Sequence, residues 1–231
     1  MFDKLQHQVK DDVKKAVLSL CDAEEGASLL DCGCADGVFT RCLGEEIGAR
    51  RVTGLDLLDV NIRSAANNGV EAYRADLNDR LQFGDAQFDV VVANEVIQYL
   101  INPDSLLKEI RRVLKNRGYV ILSTTNLSSL HNIVLLLFGR QPPMLFVSNE
   151  VPLSKWDRLP AQGIPETSAR ASCTGRFFTL KAMKEMLEFH GFTVEKVKAS
   201  GYYPLPAPLG RVMNVLDKTH SAYFTVKARK S

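Results

Sequence analysis

The stretch Leu29 to Gly37, LLDCGCADG, restricts the fold more than any other part of the chain, because it runs an apolar segment straight into a turn of small residues. Ser28 to Leu30 opens a short buried strand, Asp31 to Gly37 forms the turn, and a helix of roughly Gly37 to Ile47 departs from it. Gly33 and Gly37 let the backbone turn sharply and approach a ligand, since a Cβ at either point occupies the ligand's space. Cys34 and Ala35 are small enough to leave that approach open. A diphosphate fingerprint, G-x-G-x-x-G, needs glycine at 35 and 38, where this chain has Ala and Val. Asp31, at the mouth of the turn, repels phosphate and accepts hydrogen bonds from an ammonium, which points to a cationic or zwitterionic ligand.

Strand and helix then alternate. RVTGL, Arg51 to Leu55, reads as a second strand ending at Asp56, and Asp59 to Asn68 as a helix with Asp59 at its N-cap and Gly69 as its stop. Val70 to Arg74 is a third strand, ending at Asp76. FDVVVA, Phe88 to Ala93, is apolar almost without a break, the character of a strand buried on both faces of a parallel sheet, and it ends at Asn94. Pro103 to Leu114 places Leu106, Leu107, Ile110, Val113 and Leu114 on one helical face, and Tyr119 to Ser123 is the next strand. Four such alternations predict a doubly wound α/β/α sandwich that binds ligands at the carboxyl ends of its strands. Asp31, Asp56, Asp76 and Asn94 all fall at such ends. Asp56 follows Gly33 by 23 residues, near the spacing at which an acid reaches a ribose diol. Asp76 can offer a carboxylate to an adenine amino group, and Leu77 an apolar wall to its ring.

Outside that core, Phe2, Leu5, Val9, Val13, Val17 and Leu20 recur at helical spacing, so residues 1–22 form an amphipathic helix that packs across the domain or caps the site. Residues 127–175 lose clear periodicity and read as an acceptor-side insertion. Its apolar opening, Leu127 to Phe138, is helix-like and is expected in the core. Phe178 to His190 is amphipathic and stopped by Gly191, and Phe192 to Ala199 alternates like a strand. Tyr202 to Gly210 reads as a Pro-rich loop, and Ala222 to Ala228 as a last strand able to pair antiparallel with its predecessor at a sheet edge.

Bulk properties narrow the function. With 231 residues, 45% of them hydrophobic, a single domain spanning 1–231 is expected. The net charge of +2 supplies no field to steer the chain onto a polyanion, so nucleic acid is not the expected partner. An odd count of five Cys and a start without an apolar signal region imply a reduced, cytoplasmic protein. Cys32, Cys34 and Cys42 lack zinc spacing and read as small buried apolar residues, so no metal site is expected. The longest apolar run, Ile133 to Phe138, is six residues, against about 20 for a membrane span.

Five motifs in order, LLDCGCADG at 29–37, GLD at 54–56, ADL at 75–77, FDVVVANEVIQYL at 88–100 and LLKEIRRVLKNRGYVILSTTN at 106–126, resemble class I S-adenosylmethionine-dependent methyltransferases. The likeness is to the methyltransferase type 11 group, which includes relatives of ubiquinone-pathway O-methyltransferases. RFFTLKAMKEMLEFHGFTVEKVKASGY at 176–202 resembles that group's closing helix and edge strand. The resemblance implies a Rossmann-like sheet of seven strands with an antiparallel last strand. It implies S-adenosyl-L-methionine as methyl donor, S-adenosyl-L-homocysteine as product and a small-molecule acceptor. Asp31, Gly33 and Ala35 would lie along the methionine part, Asp56 would hold both ribose hydroxyls, Asp76 and Leu77 would bracket adenine, Asn94, Glu95 and Val96 would line the sulfonium side, and Cys34, Gly37 and Leu57 would complete the cofactor-binding set. The group's usual Glu-His pair is Gln98-Tyr99 here, which speaks against a metal- or His-assisted mechanism, and the Asn-Pro-Pro-Tyr signature of amino-group methylators of DNA bases and glutamine is absent. His131, at the edge of the expected acceptor region, is the candidate base. Phe146, Trp156, Tyr202 and Tyr203 form either an aromatic acceptor wall or ordinary packing. Two rival readings stay open: a SAM-binding module without catalysis, supported by Gln98-Tyr99, and a nicotinamide-dependent oxidoreductase, opposed by the missing glycines.

Overall fold

A computed structural model describes residues 2–142, 145 and 175–231. The elements run α1 (Phe2–Leu18), β1 (Ser28–Cys32), α2 (Val38–Ile47), β2 (Arg51–Asp56), α3 (Asp59–Asn67), β3 (Glu71–Arg74) and β4 (Phe88–Asn94). A 3₁₀ turn (Ile97–Tyr99), α4 (Pro103–Val113), β5 (Leu114–Thr125) and α5 (Leu130–Leu137) follow. The chain closes with α6 (Leu180–Phe189), β6 (Phe192–Ser200), α7 (Ala207–Leu216) and β7 (Tyr223–Lys230). The strands form one seven-stranded sheet in the order β3-β2-β1-β4-β5-β7-β6. β3, β2, β1, β4 and β5 are parallel, and β7 runs antiparallel to both β5 and β6.

The central strands owe their place to apolar side chains on both faces. On one face Leu30, Val91, Ala93, Val120 and Leu122 join Leu106, Ile110 and Val113 of α4 and Met183 and Leu187 of α6 in one core. On the other, Leu29, Val90, Val92, Tyr119 and Ile121 pack with Val17, Leu43 and Ile47 of α1 and α2. Alternate residues of one strand thus serve two helical layers, the period-2 rule applied to a sheet covered on both sides.

Capping residues set the ends of helices α4 and α6. Asn102 accepts from the Ser105 N–H and precedes Pro103 at the first position of α4, and Thr179 accepts from the Ala182 N–H at α6. His190 closes α6, buried, with Nε2 2.7 Å from Asp104 of α4. The edge is locked to the centre by Lys227 of β7, 1% exposed, whose ammonium lies 2.5 Å from Asp22 and 4.1 Å from the Tyr119 ring centroid. Asp22 also meets Arg229, tying the end of α1 to the last strand.

The antiparallel pairing of the last two strands at a sheet edge is present as expected, and what the structure adds is their order: β7 lies inside, between β5 and β6, and β6 is the edge strand at that end. Several expectations are corrected. The Pro-rich Tyr202 to Gly210 segment is cut short by α7, because Pro206 precedes the helix and Pro208 fits its first turn, where a missing N–H costs nothing. Leu58 rather than Asp59 is the N-cap of α3, and β5 begins at Leu114 rather than Tyr119. The apolar run of α5 is not core: Ile133, Val134, Leu136, Leu137 and Phe138 are exposed, and α5 is held instead by buried Asn132, which donates to the Asn126 and Leu127 carbonyls. Cys42 is exposed on α2, while Cys32 and Cys34 are buried as expected. Phe146, Trp156 and most of the 127–175 insertion lie outside the described residues.

Gly37 and Gly69 both have positive φ, 78° and 80°, but only Gly37 is crowded: a Cβ there falls 2.7 Å from Ala65 Cα, while at Gly69 it meets nothing within 4 Å. Gly37→Ala therefore combines backbone strain with a clash, and a loss of about 2–4 kcal/mol is expected, against about 1 kcal/mol for Gly69→Ala. Urea unfolding of the two variants checks this; equal losses would show that Gly37 serves backbone conformation alone.

Candidate functional site

Parallel pairing brings the ends of β1, β2 and β4 to one side of the sheet, with Asp31 opposite Gly54 of β2 and Val92 of β4. The turn after β1 folds onto β2: the Gly33 and Cys34 N–H groups both donate to the Leu55 carbonyl, at 2.8 and 2.9 Å. Gly33, Ala35 and Gly37 take positive φ in alternation, 92°, 48° and 78°. The space above these glycines is filled by protein rather than left for a ligand. A Cβ on Gly33 would stand 3.0 Å from Val96 Cγ2, and Gly37 abuts α3 as described above. Cys34 lies against Gly54, whose missing Cβ makes room for its sulfur. Burial pushes the Cys34 thiol up to about 12, which keeps it an uncharged packing group.

Asp31 is 2% exposed. Its Oδ2 accepts from Thr40 Oγ1 at 2.6 Å, whereas Oδ1 is buried without a partner among the described residues. Burial pushes its carboxyl up to about 6, opposed by the Thr40 hydrogen bond and reinforced by the charge of Asp56. Asp56 ends β2 and accepts from three donors: Ala35 N–H (3.0 Å), Leu58 N–H (3.0 Å) and Asn61 Nδ2 (2.9 Å). Leu57 beside it is exposed. Asp76 is exposed and its Oδ1 turns the chain by accepting from the Asn78 N–H and side chain, while Leu77 is buried in the core.

At the end of β4, Asn94 accepts from Ser123 Oγ at 2.6 Å. Glu95 follows with φ of 53°, a region that costs a non-glycine residue about 1–3 kcal/mol and persists only where neighbours over-determine it. Here Ser123 does so: the Glu95 N–H reaches both its carbonyl and its hydroxyl at 3.0 Å. Burial raises the Glu95 carboxyl above its ordinary range, with Lys10 and Lys14 opposing. Gln98 is buried, its Oε1 accepting from Thr124 at 2.8 Å, and Tyr99 is exposed. His131, on α5, packs edge-on to Tyr203 with ring centroids 5.4 Å apart, and burial pushes its imidazole down to about 4. It is therefore neutral at physiological pH. A shallow crevice between α1 and α7 shares Tyr203 with this region but includes none of Asp31, Gly33 or Asp56.

The structure thus gathers Asp31, the 33–37 turn, Asp56, Leu57, Asn94, Glu95 and Val96 along one edge, with Asp76 at the end of β3 on the same side. Thr40, Ser123 and Tyr223 are members of this neighbourhood that sequence reasoning missed. Thr40 lies nine positions beyond Asp31 inside a helix, and nothing in composition marks it. The orphaned buried acceptor of Asp31 has the chemistry to receive an ammonium, and no group of three or more metal-binding side chains occurs among the described residues.

A family model described as a methyltransferase domain matches residues 4–197. The chain belongs to that family of methyltransferase domains. The human mitochondrial ubiquinone biosynthesis O-methyltransferase is 27% identical over 190 residues, 78% of this chain and 45% of that protein. The Maricaulis maris ubiquinone biosynthesis O-methyltransferase is 34% identical over 111 residues, 46% of this chain and 43% of that protein. This chain therefore spans under half the length of the curated relatives it matches. Among solved structures, a Mesorhizobium loti S-adenosylmethionine-dependent methyltransferase superposes with TM-score 0.64 at 21% identity, over 94% of this chain and 96% of that one. An Aquifex aeolicus SAM-dependent methyltransferase gives 0.58 at 16%, over 94% and 89%. These two show the shared fold. No helix of the described residues is long and apolar enough to cross a membrane.

Because the folded-state pKa of Asp31 lies above its unfolded value, its contribution to stability is present below about pH 4 and is lost as pH rises through about 6. Asp31→Asn removes that dependence. Without cofactor, the variant is expected to be more stable than the parent at pH 7 by about 2–3 kcal/mol and no more stable at pH 4. Denaturant titrations of both proteins at the two pH values check the sign; a difference independent of pH would refute it.

Proposed function

We propose that this chain transfers a methyl group from S-adenosylmethionine to an O, N, S or C nucleophile of a small molecule that enters over the ends of β4 and β5. The observation that carries the cofactor half is the buried Oδ1 of Asp31 at the end of β1, without a partner among the described residues, the acceptor that the methionine ammonium needs. In this reading the Gly33, Cys34, Ala35 and Gly37 backbone runs beside that part of the cofactor. Asp56, with three donors already in place and roughly four lone-pair positions, has one acceptor position left for a ribose hydroxyl, and a second hydroxyl displaces Asn61. Leu57, exposed beside it, supplies an apolar surface for adenine, with Asp76 on its amino edge and Leu77 as the packed backing. Asn94, Glu95 and Val96 flank the reacting side.

The bound cofactor supplies a methyl group already activated on sulfonium. The residues therefore have to align the acceptor and exclude water, an effect of several kcal/mol that needs no metal. Gln98 supports this, since its Oε1 is engaged by Thr124 and an amide stands where the resembling group carries an acid. His131, its imidazole held neutral, is retained as a candidate base on the acceptor side. The relatives' names suggest an O-methyl acceptor.

Asp56→Ala removes charge-assisted hydrogen bonds worth about 1.5–3 kcal/mol, so cofactor affinity is expected to fall about tenfold to a hundredfold by titration calorimetry. Unchanged affinity would place the ribose elsewhere. Incubating the wild-type chain with methyl-labelled S-adenosylmethionine and a small-molecule cell fraction is expected to label a product. Binding of the cofactor without any labelled product would favour the non-catalytic module.

A further inference from the structure

We propose that Glu95, together with Tyr99, Tyr203 and Tyr223, forms the acceptor subsite and takes an amine in its protonated, ammonium form. The inference rests on the methyl-transfer reading and selects nitrogen among its possible nucleophiles.

Glu95 is the first residue beyond β4, between Asn94 and Val96, and its positive φ is pinned by Ser123. Its side chain is half-buried, and no hydrogen bond or ion pair engages its carboxylate among the described residues. The cations that reach it electrostatically, Lys10 and Lys14, are exposed on α1 and are not within ion-pair distance. A carboxylate held in a strained position beside the reacting end of the site, half out of water and without a cation, lacks a partner.

Register brings Tyr223 to that edge, and Tyr203 and Tyr99 follow from its packing and from the chain after Glu95. Asn94 pairs with Ser123, and two residues further along β5 Thr125 pairs with Tyr223, so Glu95 and Tyr223 stand on the same edge of the sheet. Tyr223 packs with Tyr203 and with Val9 and Val13 of α1. Tyr99 lies in the 3₁₀ turn four residues after Glu95. All three hydroxyls are raised in pKa in part by the Glu95 charge, which places them within its field. An ammonium satisfies both components: it hydrogen-bonds the carboxylate with charge assistance and is attracted to aromatic rings. An anionic acceptor would be repelled, and a neutral one leaves the carboxylate uncompensated. Glu95 then accepts one N–H proton, becoming the neutral acid and leaving a neutral amine with its lone pair available; a carboxyl raised by burial suits that exchange.

The test is calorimetric titration of the chain saturated with S-adenosylhomocysteine, using phenethylammonium chloride and the uncharged 3-phenylpropan-1-ol of similar size. The ammonium is expected to bind at least about tenfold more tightly than the alcohol. Glu95→Gln is expected to reduce that preference to less than about twofold. Should the variant lose S-adenosylhomocysteine binding, the wild-type comparison alone decides. Equal or tighter binding of the alcohol, no saturable binding of the ammonium, or an undiminished preference in Glu95→Gln would overturn the proposal. A wild-type chain that fails to bind S-adenosylhomocysteine defeats the methyl-transfer reading itself, whereas cofactor binding without ammonium preference removes only the amine subsite.

Discussion

Parallel pairing of β3, β2, β1, β4 and β5 forces their carboxyl ends to one edge, and the rest of the molecule depends on that constraint. Three of the four connections between these strands return through a helix, α2, α3 and α4, and β3 reaches β4 without one. Polar residues too costly for the sheet interior collect there: Asp31, Asp56, Asn94 and Glu95 are each the last residue or two of a strand or the first beyond it. Function and fold therefore share one cause. The two-sided apolar character that buries β4 also compels its polar exit to lie at the binding edge.

The exit points are not relaxed. Ala35 and Glu95 both hold positive φ, and each is fixed by hydrogen bonds reaching across to another strand, from Ala35 N–H to Asp56 and from Glu95 N–H to Ser123. Asp31 is kept as a buried carboxyl with one oxygen satisfied and one not. Local strain and incomplete hydrogen bonding at a site, compensated by a dense core elsewhere, are the usual mark of residues held for a ligand. Behind them the Lys227, Asp22, Arg229 and Glu195 cluster ties the two antiparallel strands to the end of α1. That brace lets α1 lie over β5 and β7 and brings Val9 and Val13 against Tyr203 and Tyr223.

Most of the fold was legible because the strongest signals are local. FDVVVA can only be a doubly buried strand in an alternating chain, and Asn102-Pro103 and Thr179 announce helix starts by their own hydrogen bonds. Signals failed where the outcome hung on distant partners. Ile133 to Phe138 has the composition of core, yet all of it but Leu135 is exposed, and the buried residue that holds α5 is the polar Asn132. Pro206 and Pro208 have the composition of a loop, yet a Pro pair also starts a helix, and α7 follows.

The sequence by itself determined the alternation of strands and helices, the acidic residues at the strand ends and the turn at LLDCGCADG, because each depends on neighbours a few positions away. Only the tertiary structure decided that β7 slips between β5 and β6, that Gly33 and Gly37 yield their space to Val96 and Ala65 rather than to a ligand, and that Asp31 keeps one buried oxygen unpaired. It also decided that Tyr223, at the start of β7, comes to the sheet edge where Glu95 stands. The reason is physical: backbone propensity and hydrophobic period act along the chain, whereas burial, unmet hydrogen bonds and electric fields are summed over atoms that only folding brings together.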